Sequence, residues 1–216
     1  MKKIIVGIIV IVSIFLIYTL LEDNKVYYFS ISDRTSLAAD IEYGYKNHIK
    51  EYLDENNKLE KYIDIYDPDV RITDIIRDIK ENKKYENKTF KNILIKADLI
   101  TLSLGYNDLI SKIDKYNNYD MHKYIDTYLN DLEELFTLLR MYDKEKIIMI
   151  GYYNPYSSSY NNMINYINNK VENLCLKYKI DFIDIFDMKE YIDNNYIIIE
   201  GQHIIFDRIR EYIDRK

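Results

Sequence analysis

Leu99-Ile100-Thr101-Leu102-Ser103-Leu104 runs without a spacer into Gly105-Tyr106-Asn107-Asp108. The apolar residues predict a parallel strand covered on both faces, which sets the polar tetrapeptide at the strand's carboxyl end, where open α/β sheets bind ligands. Gly105 lets the backbone turn sharply there. Asn107, fixed beyond it, can present an amide N–H to an oxygen that gains negative charge in a transition state. A strand that merely closes in a Gly-Asn turn has the same local sequence, so the chemistry needs partners from elsewhere in the chain. Metal ligands are not among the candidates. His48, His122 and His203 are scattered, Cys175 stands alone, and Asp181, Asp184 and Asp187 follow strand and turn positions that are ordinarily solvated. No metal and no cofactor is expected.

The elements that must position such a turn alternate along the chain. Strands are predicted at Val26 to Ile31, Tyr62 to Tyr66, Leu99 to Leu104, Ile147 to Ile150 and Phe182 to Ile185. Helical spacing over Tyr45 to Leu59 joins Ile49, Tyr52 and Leu53; then come Ile72, Ile75, Ile76 and Ile79, and a long helix from about Met121 to Met141 joins Ile125, Leu129, Leu132, Leu135, Phe136 and Leu139. Two further helices follow from Met163, Ile164, Ile167, Val171 and Leu174 and from Ile204 to Ile213. Crossovers of this length imply a flavodoxin-like three-layer α/β/α sandwich around a parallel sheet of about five strands.

The start of the chain bears on location. Ile4 to Leu21 is nearly unbroken Ile, Val, Leu and Phe, preceded by Lys2 and Lys3 and followed by Glu22 and Asp23. At about 1.5 Å rise per residue this run reaches the thickness of a hydrocarbon core, and its basic flank belongs in the cytoplasm. A cleaved signal peptide is the competing reading, but the run is long for one, and no Ala-x-Ala-like site or lipidation cysteine follows. Residues 1–25 are therefore expected to be an uncleaved signal anchor, a single transmembrane helix, with one extracytoplasmic domain over 26–216. The lone Cys175 rules out an intramolecular disulfide. The net charge of -6, with both signs mixed, argues against a nucleic-acid partner. The 24 tyrosines accompany abundant Ile, Asn and Lys and no Trp, the joint bias of an AT-rich genome, so they are not read as sugar-stacking platforms.

Several blocks in this order resemble the SGNH hydrolases, also called the GDSL lipases and esterases. Ala97 to Asp108 is similar to that family's third block, Ile147 to Pro155 to its fourth-strand segment and Asn-Pro turn, Arg71 to Ile76 to the helix start after the second block, and Tyr43-Gly44-Tyr45 to the segment beyond the first. The resemblance spans most of residues 26–214. It implies metal-free ester hydrolysis by a serine nucleophile, an oxyanion hole that includes a Gly and the third-block Asn, and an Asp-x-x-His pair as base and orienting carboxylate. In that register Asn107 takes the oxyanion position with Gly105 beside it. Ser30-Ile31-Ser32-Asp33-Arg34-Thr35-Ser36 instead places Arg34 where the nucleophile belongs. Asp69 falls on the second-block Gly, where a carboxylate would oppose the oxyanion. Asp193-Asn194-Asn195-Tyr196 puts Tyr196 in place of the His, and a phenol is a poor proton acceptor at neutral pH.

Two functional expectations follow from the resemblance. The first is a membrane-anchored, catalytically degenerate SGNH-like domain at the cell envelope, binding an acylated lipid, a glycan or an envelope protein, with Arg34 suited to an anionic group. The second is an active ester hydrolase with a displaced nucleophile, Ser36 or Ser32 (Thr35 being a bulkier candidate), with His203 as base and Asp193 as its carboxylate. A purely structural role in a membrane complex remains a third reading, because fold does not fix function.

Overall fold

Alternation along the first strand, β1 (Val26–Ser32), decides the layering. Tyr27, Phe29 and Ile31 project to one face of the sheet, while Tyr28, Ser30 and Ser32 project to the other. The computed structural model describes residues 25–36, 38, 43–113, 115, 118–142, 146–156 and 158–215. After β1 come a 3-10 turn at Arg34–Ser36, α1 (Tyr45–Glu55), β2 (Leu59–Tyr66) and α2 (Ile72–Lys80). A short pair, β3 (Lys84–Tyr85) and β4 (Lys88–Thr89), leads to α3 (Phe90–Lys96), β5 (Leu99–Ser103) and the long α4 (Asn118–Arg140). The chain ends with β6 (Lys146–Ile150), α5 (Asn161–Lys177), β7 (Asp181–Ile183), a second short pair β8 (Ile192–Asp193) and β9 (Tyr196–Ile197), and α6 (Ile199–Ile213).

The central sheet has the order β2-β1-β5-β6-β7, and every neighbouring pair is parallel. The chain runs from β1 to β2 at one edge, then returns past β1 to build β5, β6 and β7. That reversal opens a crevice at the carboxyl ends of β1 and β5, the place where doubly wound sheets bind ligands. Helices α2, α3, α4 and α5 pack on the face carrying Phe29, Ile100, Leu102, Ile147 and Met149. Helices α1 and α6 cover the face carrying Tyr28, Leu99, Ile148 and Ile183. Each fully buried Ile, Leu or Phe in these layers contributes about 1.5–3 kcal/mol, so the two cores hold the crevice's walls rigidly in place.

The parallel five-strand sandwich matches the sequence expectation, with differences at element ends. Helix α1 ends at Glu55 rather than at Leu59, which instead opens β2. Helix α6 begins at Ile199, earlier than the apolar spacing suggested, because Gly201 lets the helix settle on Ile197 and Tyr191; a Cβ there would stand 2.4 Å from Ile197 Cγ2. The seven-residue α3 and the two short hairpins were not expected. Helix α3 is too short for a periodic signal and is set instead by Thr89, whose hydroxyl accepts from the Asn92 N–H at 3.3 Å. The apolar segment Ile4 to Leu21 lies outside the described residues. Among the described residues, no helix is long and apolar enough to cross a membrane.

The turn after β5 is held by shape. Gly105 has φ +115°, and a Cβ built on it would meet Tyr152 Oη at 2.4 Å and Tyr128 Oη at 2.9 Å. Those hydroxyls are themselves fixed, since Tyr152 donates to the Leu104 carbonyl at 2.7 Å and is hydrogen-bonded to Tyr128. Gly105→Ala therefore combines backbone strain with overpacking and is expected to lower stability by about 2–4 kcal/mol, read as a lower urea midpoint of unfolding.

Candidate functional site

Asp33 and Tyr106 lie at the ends of the two strands that border the crevice. The Asp33 N–H donates to the Ser103 carbonyl at 2.8 Å, extending the β1–β5 ladder by one bond. The buried Asp33 carboxylate then accepts from the Tyr106 N–H at 2.9 Å. These bonds fix the start of both loops, and they leave Arg34, the next residue, at the mouth of the crevice.

Arg34 is partly buried and aromatic side chains surround it. Its Cζ lies 4.7 Å from the centre of the Tyr106 ring and 4.5 Å from that of Tyr196, over both ring faces. One guanidinium nitrogen donates to the Tyr196 hydroxyl. Tyr196 is brought there by the β8–β9 hairpin, in which Asp193 pairs with Tyr196 across Asn194 and Asn195. Both asparagines take left-handed backbone angles, φ 48° and 67°, as a two-residue hairpin loop requires. The Tyr153 hydroxyl, from the loop after β6, donates to the Asn195 carbonyl at 2.9 Å and ties the hairpin to the sheet edge. Burial pushes the Tyr153 phenol up, so it stays a neutral donor.

Asn107 reaches this edge but does not face it as an oxyanion donor. Its amide nitrogen donates to the Pro68 carbonyl at 2.8 Å and to the Val70 carbonyl at 3.1 Å, which uses both of its hydrogens. Neighbouring Asp108 accepts from the Ile72 N–H at 3.2 Å at the start of α2, and burial raises its carboxyl above the usual range. The turn Gly105 to Asp108 thus clamps the loop after β2. Asp69, within that loop, is exposed, and its N–H donates to the Asp67 carboxylate at 2.9 Å.

The serines, histidine and aspartate expected for a displaced triad are not brought together. Ser36 is 0% exposed and its hydroxyl donates to the Asp33 carbonyl at 3.0 Å, closing its own turn. Ser32 is also 0% exposed; its hydroxyl accepts from the Lys46 ammonium at 3.1 Å, and the same ammonium pairs with the Asp64 carboxylate at 2.6 Å. As a donor to both, the Lys46 nitrogen presents hydrogens and no lone pair to Ser32. The His203 side chain is 55% exposed, with Nε2 3.7 Å from Asp207. It lies edge-on to His48, ring centres 4.8 Å apart, on the surface between α1 and α6, about one turn into α6. Burial, and then the neighbouring His203, lower the pKa of His48. Asp193 is exposed and bonds the Asn194 amide at 3.3 Å. His122 lines a hollow of about 570 Å³ between the starts of α4 and α5, edge-on to Tyr166. Among the described residues, no imidazole bonds a serine or threonine hydroxyl, and no three His, Cys, Asp or Glu gather as a metal site.

Sequence reasoning missed Lys46, Asp64, Asn168 and Tyr153. Two of these had a signal. Lys46 shares the i, i+3, i+7 stripe of Ile49 and Leu53, a charge on a buried helix face, and Asp64 alternates in register with Tyr62 on the half-buried face of β2. Asn168 clamps both backbone groups of Tyr152, at 2.8 Å each, from the buried side of α5. In urea unfolding, Asn107→Ala should cost about 2 kcal/mol because it orphans two carbonyls and frees the loop after β2. His203→Ala should stay within about 0.5 kcal/mol of the parent.

No curated protein matches the chain. Its fold is shared with the lipase Lip_vut3 from a goat rumen metagenome, 19% identical, over 85% of this chain and 95% of that one, with TM-score 0.68. A catalytic mutant of the acetylxylan esterase Axe2 from Geobacillus stearothermophilus is 14% identical over 88% and 94% of the two chains, with TM-score 0.65. The esterase EstA from Pseudoalteromonas sp., inhibited by monoethylphosphonate, is 14% identical over 88% and 100%, with TM-score 0.59. At these identities the likeness speaks for the fold. Residues 23–208 match the family model described as GDSL-like Lipase/Acylhydrolase, and the chain belongs to that family.

Proposed function

We propose that this chain is a binding member of the GDSL-like family that retains ligands in its cleft without hydrolysing them, tethered outside the membrane by its amino-terminal apolar segment. The observation that carries the reading is Arg34, set between Tyr106 and Tyr196 at the carboxyl end of β1, where the family resemblance expects a nucleophilic serine. A guanidinium has no lone pair to offer a carbonyl carbon at neutral pH. The nearby hydroxyls of Ser32 and Ser36 are buried and bonded elsewhere, and Asn107 has no amide hydrogen left for an oxyanion. In a serine hydrolase, losing the nucleophile or the base alone costs about 10⁶ in kcat, so this arrangement leaves no measurable turnover.

The relatives named as lipases and esterases act on acyl and acetyl esters by name, and the cleft of this chain is read as keeping that class of ligand, on an acylated lipid or glycan of the envelope. The test uses the full-length chain in detergent micelles, treated with a serine-reactive fluorophosphonate probe and with p-nitrophenyl butyrate. No labelling and no hydrolysis above the micelle blank are expected, with Ser32→Ala and Ser36→Ala indistinguishable from the parent. Labelling that disappears in either alanine variant would overturn the reading in favour of the displaced-nucleophile hydrolase.

A further inference from the structure

We infer that Arg34 makes the crevice a receptor for a free organic carboxylate, so that this domain holds the acid where its hydrolytic relatives act on the ester; the inference rests on the non-hydrolytic reading above. A partly buried cation normally has an anionic partner, because removing it from water is otherwise costly. Among the described residues Arg34 takes part in no ion pair. Its one side-chain hydrogen bond goes to the neutral Tyr196 hydroxyl. Most of the guanidinium's five N–H donors are left for a ligand, arranged as the planar fork that matches two carboxylate oxygens.

The surroundings select among anions. Tyr196 accepts from Arg34, so its own O–H is free to donate a second hydrogen bond into the same space. Tyr106 and Tyr196 turn ring faces toward the guanidinium and frame it for an organic substituent. The Asp33 carboxylate adjoins Arg34 in sequence and is held by the Tyr106 N–H. Among the described residues no ion pair joins Asp33 to Arg34, so the guanidinium can pair with one negative charge, whereas the second charge of a phosphate dianion would add to the repulsion from Asp33. A neutral ester or amide can accept from the guanidinium through its carbonyl but forms no ion pair with it.

The experiment titrates the full-length chain in detergent micelles with sodium butyrate, with its neutral isostere butyramide, and with inorganic phosphate, read by isothermal titration and ligand-observed NMR. Butyrate should bind at least about tenfold more tightly than either of the others, the margin of a charge-assisted bidentate pair over a neutral contact. Arg34→Gln should abolish that preference, and Arg34→Lys, which keeps the charge but loses the fork, should lose most of it. The acid-against-amide comparison on the parent chain does not depend on how either variant folds. Equal binding of butyrate and butyramide, no binding of butyrate, tighter binding of phosphate, or full retention of the preference in Arg34→Gln would each overturn the inference. Methyl butyrate incubated in parallel separates the two claims. Its conversion to butyrate would sink the non-hydrolytic reading, whereas a silent ester with no acid preference would sink the carboxylate inference alone.

Discussion

The crevice depends on Asp33. Its backbone N–H continues the hydrogen-bonded ladder from β1 to β5, and its carboxylate, fully buried, receives the Tyr106 N–H just past Gly105. Its carbonyl in turn accepts from the Ser36 N–H and hydroxyl, so a single residue closes the 3-10 turn on one side and anchors the opposite loop on the other. Strands β1 and β5 are neighbours that the chain connects in opposite directions, and without this tie their loops would have no common frame. With it, Arg34 and Tyr106 face each other at a fixed separation, and the β8–β9 hairpin completes the wall with Tyr196.

On the reading proposed above, family membership and chemistry come apart at this point. The sheet order and the two helical layers are the fold shared with the lipase and the esterases compared above. The side chains aimed into the crevice are those of a cation in an aromatic frame. The Asn107 amide illustrates the difference: the residue type and place suit an oxyanion hole, yet both hydrogens brace the loop after β2. The same loop carries Asp69 outward to solvent, so its carboxylate neither opposes nor assists charge in the crevice. The proposed loss of hydrolysis is thus a change of side chains on an intact frame, not a failure of the fold.

Much of the frame was legible in the sequence because it rests on periodicity. Runs such as Ile147 to Ile150 and the stripe Ile125, Leu129, Leu132 report burial directly, and the register of the family blocks placed Arg34, Asn107 and Tyr196 at one edge. Side-chain direction was not legible. His203 and the two serines are near enough in sequence to the expected blocks to form a triad on paper, but helix phase turns His203 toward His48, and strand parity buries Ser32 against Lys46. Nor could spacing reveal the pairing of Arg34 with two tyrosines 72 and 162 residues away, which exists only once the sheet and the Asn194-Asn195 hairpin have formed. Short elements such as α3 escaped because seven residues hold too little periodic signal against a capping threonine.

The central claim is that a guanidinium, and not a hydroxyl, occupies the reacting position of this crevice. A crystal structure of the full-length chain measures that directly. The account requires the Arg34 Cζ within about 6 Å of both the Tyr106 and Tyr196 ring centres, the reach of a cation–π contact, with Ser32 and Ser36 turned to Lys46 and the Asp33 carbonyl. An Arg34 side chain swung out to solvent, with a serine hydroxyl in the crevice bonded to an imidazole nitrogen, would contradict it.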